Sequence, residues 1–573
     1  MPKYKSDHKD IFFNLFELLQ VQNHQEVELD ESDLKGMFLE FDKFVENEIF
    51  PTREISDAQG VRLENGNVKV PEVLKKACKN YYANGWFALG LNAEWEGIQV
   101  PEAFFTACNS VANSANVGFM MYPGLTRANL NVLNLIGTQE QKQKYIPPIM
   151  EGRWGGTMCL TEPGAGSDVG AVRTTAKKLD NGKYLINGTK IFISSGDSDL
   201  YENNIHLVLA KTPGAPEGTK GLSLFIVPKF KIKDDGSLGE SNNAICTKIE
   251  HKMGIHASAT CELMFGQNGD CVGELIGKEL DGMKNMFIMM NEARLYCGVQ
   301  GEAQGNLAYM MSEQYAKERS QFGKEIISHP DVKRLLLRMR AKARGMRALC
   351  LYTANLFDLG KQNKEAHDEI GLLTPLCKSY CSEEGFNVAV DAIQVHGGYG
   401  YCTEYGIEQF ARDTKIATIY EGTNGIQAID FVMRKILRDQ GKTLQLFMAK
   451  IMKTISKTKD FKKEVELFNK VLASGEKIMN KIGEYAQKKQ FDQILQHCTD
   501  FQHFAAQLAV AWRLLDSANI AKEKLAGATA EDKKFYESKI IDFKIYCSHF
   551  LVHNLSIAKT LTDLEEDITS VEF

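Results

Sequence analysis

One carboxylate in this chain sits where it can do proton chemistry. The segment Ile419-Tyr420-Glu421-Gly422-Thr423-Asn424-Gly425-Ile426-Gln427 sets Glu421 among two glycines and an asparagine. It stands just before Ile429, Val432, Met433 and Ile436, which step at helical spacing. That is a tight turn running into a helix. A carboxylate there can project into a cavity while the N–H groups of the turn and helix start face a developing negative charge. The same residues also describe an exposed glutamate beside a helix cap.

Three more segments carry residues suited to a ligand. In Cys159-Leu160-Thr161-Glu162-Pro163-Gly164-Ala165-Gly166-Ser167-Asp168-Val169-Gly170, glycines alternate with hydroxyl residues, which suits a loop whose backbone approaches a ligand closely. Its GxGxxxG spacing is not the dinucleotide fingerprint, and β-hairpins follow in place of a helix. Ser167 is not in a nucleophile elbow. Arg319-Ser320-Gln321-Phe322-Gly323-Lys324 closes a long helix, where an arginine can fork onto a pyrophosphate or simply favour the helix dipole. Gln394-Val395-His396-Gly397-Gly398-Tyr399-Gly400 is another glycine turn between helices. No metal site is expected: His549 and His553 have helical spacing but no intervening HExxH glutamate and no third ligand.

The elements that must position these residues fall into blocks. From Asp10 to about Trp154 the pattern is helical, with Phe38, Phe41 and Phe44 at three-residue steps. From Gly155 to Gly269 it turns to short β-rich segments such as KIFIS and GLSLFIVPKF, with Asn181-Gly182 and Asn187-Gly188 as hairpin signals. Helical spacing returns near Met283. After Lys442 there is no proline, and Phe501, Phe504, Leu508, Trp512 and Leu515 mark one buried face. The expected fold is α+β in four parts: helical 1–154, β 155–282, helical 283–440 and a helical extension 441–573.

Composition narrows the setting. At 573 residues the chain needs several packed units. A net charge of −6 predicts no general attraction to nucleic acid. The 13 cysteines form no CxxC pair, which suits a reducing compartment. No signal-peptide core is visible, Asp7 and Asp10 weigh against a presequence, and no apolar run reaches the roughly 20 residues of a membrane span. The expected location is the cytoplasm.

Taken in order, and with GTKGLSLFIVPK and HKMGIHASATCEL in the β block, these segments resemble the acyl-CoA dehydrogenase family from about Tyr4 to Leu437. The resemblance implies the acyl-CoA dehydrogenase-like fold. It implies FAD as cofactor, held between the β domain, the helical domain after it and a neighbouring subunit of a homodimer or homotetramer. Thr161 and Ser194 match positions facing the isoalloxazine ring, and Phe192 a position, usually tryptophan, that stacks nearby. Ser167 matches a residue near the pantetheine arm. Arg319, Gln321 and Phe322 match the pyrophosphate contacts, and Gln394 and Gly398 their counterpart from the partner subunit. Thr423 matches another FAD contact, and Arg294 a substrate or CoA contact.

Glu421 falls on the family's catalytic glutamate. A thioester α-proton is far too weakly acidic for a carboxylate near its ordinary pKa of about 4.3. Burial must therefore raise the glutamate, and hydrogen bonds to the thioester oxygen must acidify the α-carbon. The implied reaction removes the α-proton to Glu421 and the β-hydride to flavin N5, leaving a trans-2-enoyl-CoA. The electrons then pass to an electron-transfer flavoprotein.

The chain continues about 130 residues past the point where ordinary members of the family end, and Asn291 stands where many carry Asp. The long helical tail and the N-terminal IFFNLFELL segment resemble the long subgroup that includes 3-methylmercaptopropionyl-CoA dehydrogenase and broad-specificity bacterial fatty acyl-CoA dehydrogenases. Two other functions fit the same fold: an acyl-CoA oxidase using oxygen, and a non-catalytic flavoprotein whose extension binds DNA. From Ile451 to Phe573, 18 Lys and Arg balance 18 Asp and Glu, which does not suit phosphate binding.

Overall fold

The computed structural model describes residues 4–24, 28–563 and 568–573. The chain forms two compact units, each built from separated stretches. The first comprises Met1–Asp42, Pro101–Ser114 and Arg294–Phe573, the second Lys43–Val100 and Ala115–Ala293.

The second unit is organised around an eight-stranded sheet. Its strands are β1 (Trp154–Cys159), β2 (Thr175–Lys178), β3 (Tyr184–Ser194), β4 (Asn203–Lys211), β5 (Leu222–Pro228), β6 (Ala244–Ile249), β7 (Thr260–Phe265) and β8 (Val272–Leu275). They run in the order β6-β7-β3-β8-β5-β4-β1, with β2 paired to β3 and β4. Every residue of β5 is buried, as expected of a near-continuous apolar strand covered on both faces. Ile186, Val208, Phe225, Leu263 and Phe265 share the core of this unit. The Asn181-Gly182 turn joins β2 to β3, with Gly182 left-handed at φ 79°. Asn187-Gly188 makes no hairpin; it lies inside β3. A Cβ on Gly188 would stand 2.2 Å from Thr174 Oγ1, so this glycine serves close approach, not a turn.

Helix α1 (Glu102–Ile136) breaks at Asn116, whose φ and ψ of −157° and 90° leave the helix. Its Oδ1 accepts the Phe119 N–H at 3.0 Å, as a capping side chain does. Its Nδ2 donates to Thr52 and Ser56.

The first unit is helical. It contains α2 (Gly282–Glu318) from Arg294 onward, α3 (Pro330–Leu359), α4 (Lys364–Leu376), α5 (Ser382–His396), α6 (Asn424–Ile429) and, from the extension, α7 (Phe491–Lys524) and α8 (Ala530–His549). Arg340, Arg344 and Arg347 step by four and three residues along α3, so they share one face. That face is turned inward. Arg344 pairs with Asp7 at 2.9 Å and with Asp542 of α8 at 2.9 Å. Arg340 pairs with Asp542 at 2.6 Å, and Arg347 with Asp10 at 3.0 Å and Glu302 at 3.1 Å. Lys539, also on α8, reaches Asp10 at 2.6 Å, and both side chains are fully buried. The extension is thus joined to the N-terminal segment and to α3 by charges sealed from water. Phe431 also packs on Phe501 of α7, ring centres 5.9 Å apart.

Candidate active site

The Glu421 turn is left-handed twice over. Glu421 has φ 54° and Gly422 φ 82°. Glycine takes that conformation freely, whereas a glutamate pays about 1–3 kcal/mol for it. The turn is held from both sides. Thr423 caps α6 by accepting the Ile426 N–H at 3.2 Å, and the Gln427 amide donates to the Glu421 carbonyl at 2.8 Å. Tyr420 hydrogen-bonds Gln300 of α2.

The strained turn delivers a half-buried carboxylate. Among the described residues no hydrogen bond or ion pair reaches its oxygens. Burial raises the Glu421 pKa above the usual carboxylate value, and the positive charges of Arg294 and Lys378 oppose the rise without cancelling it. Arg294 is itself buried at 4% exposure and committed to Asp430, Nη1 to Oδ2 2.6 Å. Its Nε has no hydrogen-bond partner among the described residues. A carboxylate with raised proton affinity and no partner is equipped to accept a proton from a bound molecule.

Within the same unit, the RSQFG segment forms a hairpin, Ser320–Gln321 against Lys324–Glu325. Its two loop residues, Phe322 and Gly323, have φ 53° and 75°, the geometry that favours Asn-Gly. A phenylalanine there is strained, and its ring is 93% exposed. Arg319 is exposed and lies over the Tyr399 ring, 5.5 Å from its centre. Tyr315 stacks on His396 at 4.2 Å. The arginine hairpin and the glycine turn are therefore neighbours in one chain. Gln394 is exposed at the end of α5, and a Cβ on the exposed Gly398 would meet nothing within 4 Å.

The second unit holds Thr161, Ser167, Phe192 and Ser194. Between the pairs Cys261↔Ile193 and Leu263↔Lys190 the register slips by one residue, a β-bulge. Phe192 sits in that bulge with φ 57° and 60% of its surface exposed. Bulges re-aim side chains and gather beside functional sites. The Thr161 carbonyl accepts the Ile191 N–H at 2.9 Å, so the LTEPGAGSD loop starts against the bulged strand. Glu162 anchors it: its carboxylate takes Lys190 Nζ at 2.7 Å, the Thr174 hydroxyl at 2.5 Å and the backbone N–H groups of Arg173 and Thr174. Thr161 and Ser194 are half-buried; Ser167 is exposed farther along the loop.

These residues fit FAD. In the first unit the exposed Phe322, Arg319 and Gly398 offer a ring face, a cation and open backbone to a large anionic ligand, and in the second unit the exposed Phe192 offers a ring face. Sequence reasoning missed Lys378, Asn424, Gln427 and the Glu162–Lys190 pair. The one available signal was Lys378, a lone cation in the apolar run LLTPLCKSYC.

Thr161, Ser167, Phe192 and Ser194 lie in the unit of the β block, and Glu421, Arg319, Phe322, Gln394 and Gly398 in the helical unit. Four domain models match successive stretches: acyl-CoA dehydrogenase N-terminal domain at residues 34–153, middle domain at 157–267, C-terminal domain at 281–437, and acetyl-CoA dehydrogenase C-terminal like at 447–572. The 3-methylmercaptopropionyl-CoA dehydrogenase of Ruegeria pomeroyi is 38% identical, over 99% of each chain. A broad-specificity linear acyl-CoA dehydrogenase of Mycobacterium tuberculosis is 35% identical, over 100% of this chain and 99% of that one. The solved acyl-CoA dehydrogenase from Bacillus anthracis, complexed with FAD, shares the fold at TM-score 0.75, with 23% identity over 96% of this chain and 91% of that one.

The chain belongs to the acyl-CoA dehydrogenase family. It is an oxidoreductase. Among the described residues no helix is long and apolar enough to cross a membrane.

Proposed function

We propose that the protein dehydrogenates an acyl-CoA thioester between its α- and β-carbons, with Glu421 as the base. The observation that carries this reading is the Glu421 carboxylate itself: strained into place, half-buried, raised in proton affinity by that burial, and reached by no hydrogen bond among the described residues. Glu421 takes the α-proton as the Cα–H bond breaks. The strained turn keeps the carboxylate aimed at the substrate, and desolvation narrows the gap between its pKa and that of the carbon acid. FAD, when bound, supplies the two-electron acceptor for the β-hydride, so that trans-2-enoyl-CoA results.

Thr161, Phe192, Ser194 and Thr423 serve the flavin ring in this reading. Arg319, Gln321, Phe322, Gln394 and Gly398 hold the pyrophosphate side, and Ser167 and Arg294 serve the CoA thioester. The enzyme works in the cytoplasm as a homo-oligomer and passes its electrons to an electron-transfer flavoprotein. Its acyl group belongs to the range spanned by its relatives' names, from methylthio-propionyl to linear fatty acyl.

The test is anaerobic bleaching of the flavin by a panel of acyl-CoA thioesters, wild type against Glu421→Gln. The variant should remain yellow and fail to bleach. Bleaching at near wild-type rate would place the base elsewhere.

A further inference from the structure

Lys378 has no part in the mechanism just described, yet it is the most unusual cation in the first unit. Its side chain is 0% exposed, and a lysine is seldom fully buried without a carboxylate partner. Here the hydrogen-bond partner is neutral: Nζ donates to Asn424 Oδ1 at 2.9 Å. Asn424 is the first residue of α6, three positions after Glu421. Its amide nitrogen in turn donates to the Ser379 carbonyl at 3.2 Å and to Glu383 at 3.2 Å. Lysine and asparagine thus clamp the start of α6 to the segment Cys377–Cys381.

That segment is a π-helical turn between α4 and α5. It follows Pro375, whose ring cannot supply a helical N–H. Pro375 O is occupied from outside the ladder, by Ser379 Oγ at 2.9 Å and by Gln502 of α7 at 3.2 Å. Tyr380, two residues past Lys378, hydrogen-bonds Tyr546 of α8 at 2.6 Å. Single π-turns inside helices recur at functional sites.

The charged and titratable groups facing Lys378 are Glu421 on the turn, Arg294 and Cys297 on α2, and Glu383 in the first turn of α5. Arg294 is neutralised locally by Asp430. Both cations act on Glu421, but only Lys378 has a neutral hydrogen-bond partner, on the helix that follows the Glu421 turn.

We propose that Lys378 is a positioning residue for proton abstraction: its buried ammonium, anchored on Asn424, sets the charge felt by the Glu421 carboxylate without touching it. This rests on Glu421 being the base. Burial lowers the Lys378 pKa to about 8, so the group is charged at neutral pH. Were the charge removed, Glu421 would hold its proton more tightly. The acid limb of the reaction would move to higher pH.

The experiment follows anaerobic flavin bleaching by acyl-CoA against pH in the flavinated holoenzyme, for wild type, Lys378→Met, Lys378→Arg and Asn424→Ala. In Lys378→Met the acid limb should rise by about one pH unit, and bleaching on that limb should fall about tenfold. Flavin content and half-saturating substrate should stay within about twofold. Lys378→Arg should restore the wild-type limb, which a purely structural role would not require. Asn424→Ala keeps the ammonium but frees it, and should move the limb in the same direction; it carries the test if Lys378→Met does not fold. An unmoved acid limb in flavinated Lys378→Met, or in Asn424→Ala where the first does not fold, overturns the proposal. Failure of the base assignment itself is separately visible, as bleaching by Glu421→Gln.

Discussion

Replacing Lys539 by methionine tests what holds the C-terminal extension in place. Four acids, Asp7, Asp10, Glu302 and Asp542, face four bases, Arg340, Arg344, Arg347 and Lys539, in a buried cluster. Lys539→Met keeps most of the side-chain volume and removes one positive charge, leaving the cluster one negative charge in excess. Breaking a buried pair from one side costs about 3–5 kcal/mol, because the remaining charge stays out of water. With a urea dependence on the order of 3 kcal/mol per molar, the unfolding midpoint of the full chain should fall by about 1–1.7 M. Asp10→Asn should cost about 1–3 kcal/mol less in that background than in the wild type, since the two residues share one interaction.

The pH dependence has a definite sign. Burial alone would raise the Asp10 pKa, but Lys539, Arg344 and Arg347 outweigh it and hold the group well below the usual range. A carboxyl lowered in the folded state contributes stability above its unfolded pKa of about 3.9, and that contribution is lost as pH falls toward the folded value. The gap between wild type and Lys539→Met should therefore narrow below about pH 4. Glu302 runs the other way: burial dominates and raises its pKa, so its ionisation costs stability as pH rises above about 4.3, and acid relieves it. The assay is equilibrium urea unfolding followed by tryptophan fluorescence at pH 3.5 to 8, a range spanning both groups' unfolded values on the order of 4. A Lys539→Met midpoint equivalent to less than about 0.5 kcal/mol of change at pH 7 would refute the reasoning.

Gly422→Ala should keep FAD and slow bleaching about 5–30-fold, the equivalent of about 1–2 kcal/mol of left-handed strain. Its Cβ would also stand 2.9 Å from the Gln427 Nε2 that holds the Glu421 carbonyl. Single-turnover absorbance at the flavin band measures this. Lys190→Met strands the buried Glu162 carboxylate and should loosen the loop that carries Thr161, at a cost of about 3 kcal/mol. Loss of flavin on gel filtration reads it, and full retention would contradict the anchoring role. Arg319→Ala should weaken FAD retention more than it alters bleaching by the flavin that remains.

Local sequence determined much of this protein. The glycine-bearing segments, the alternation of helical and β blocks and the helical extension were all legible, because each rests on backbone propensity or on periodicity within one element. So was Glu421 as a residue on a turn before a helix. What that turn does with its carboxylate was decided by residues far along the chain. Arg294 and Lys378, 127 and 43 positions away, set its electrostatics, and burial by packed neighbours raises its proton affinity. Strain was equally hidden. Nothing in the sequence marked Phe192 and Phe322 as strained; the register slip in β3 and the two-residue hairpin put both into left-handed backbone.

The basic stripe on α3 shows the limit most plainly. Arg340, Arg344 and Arg347 share a face with the spacing of a solvated or phosphate-binding helix, and the zero net charge of residues 451–573 indicated no partner for them. The tertiary structure turned that face inward onto Asp7, Asp10, Glu302 and Asp542. Sequence periodicity specifies that residues lie together on a face. Whether the face meets water, a ligand or opposite charge depends on which distant segments pack against it, and that choice is made by the fold as a whole.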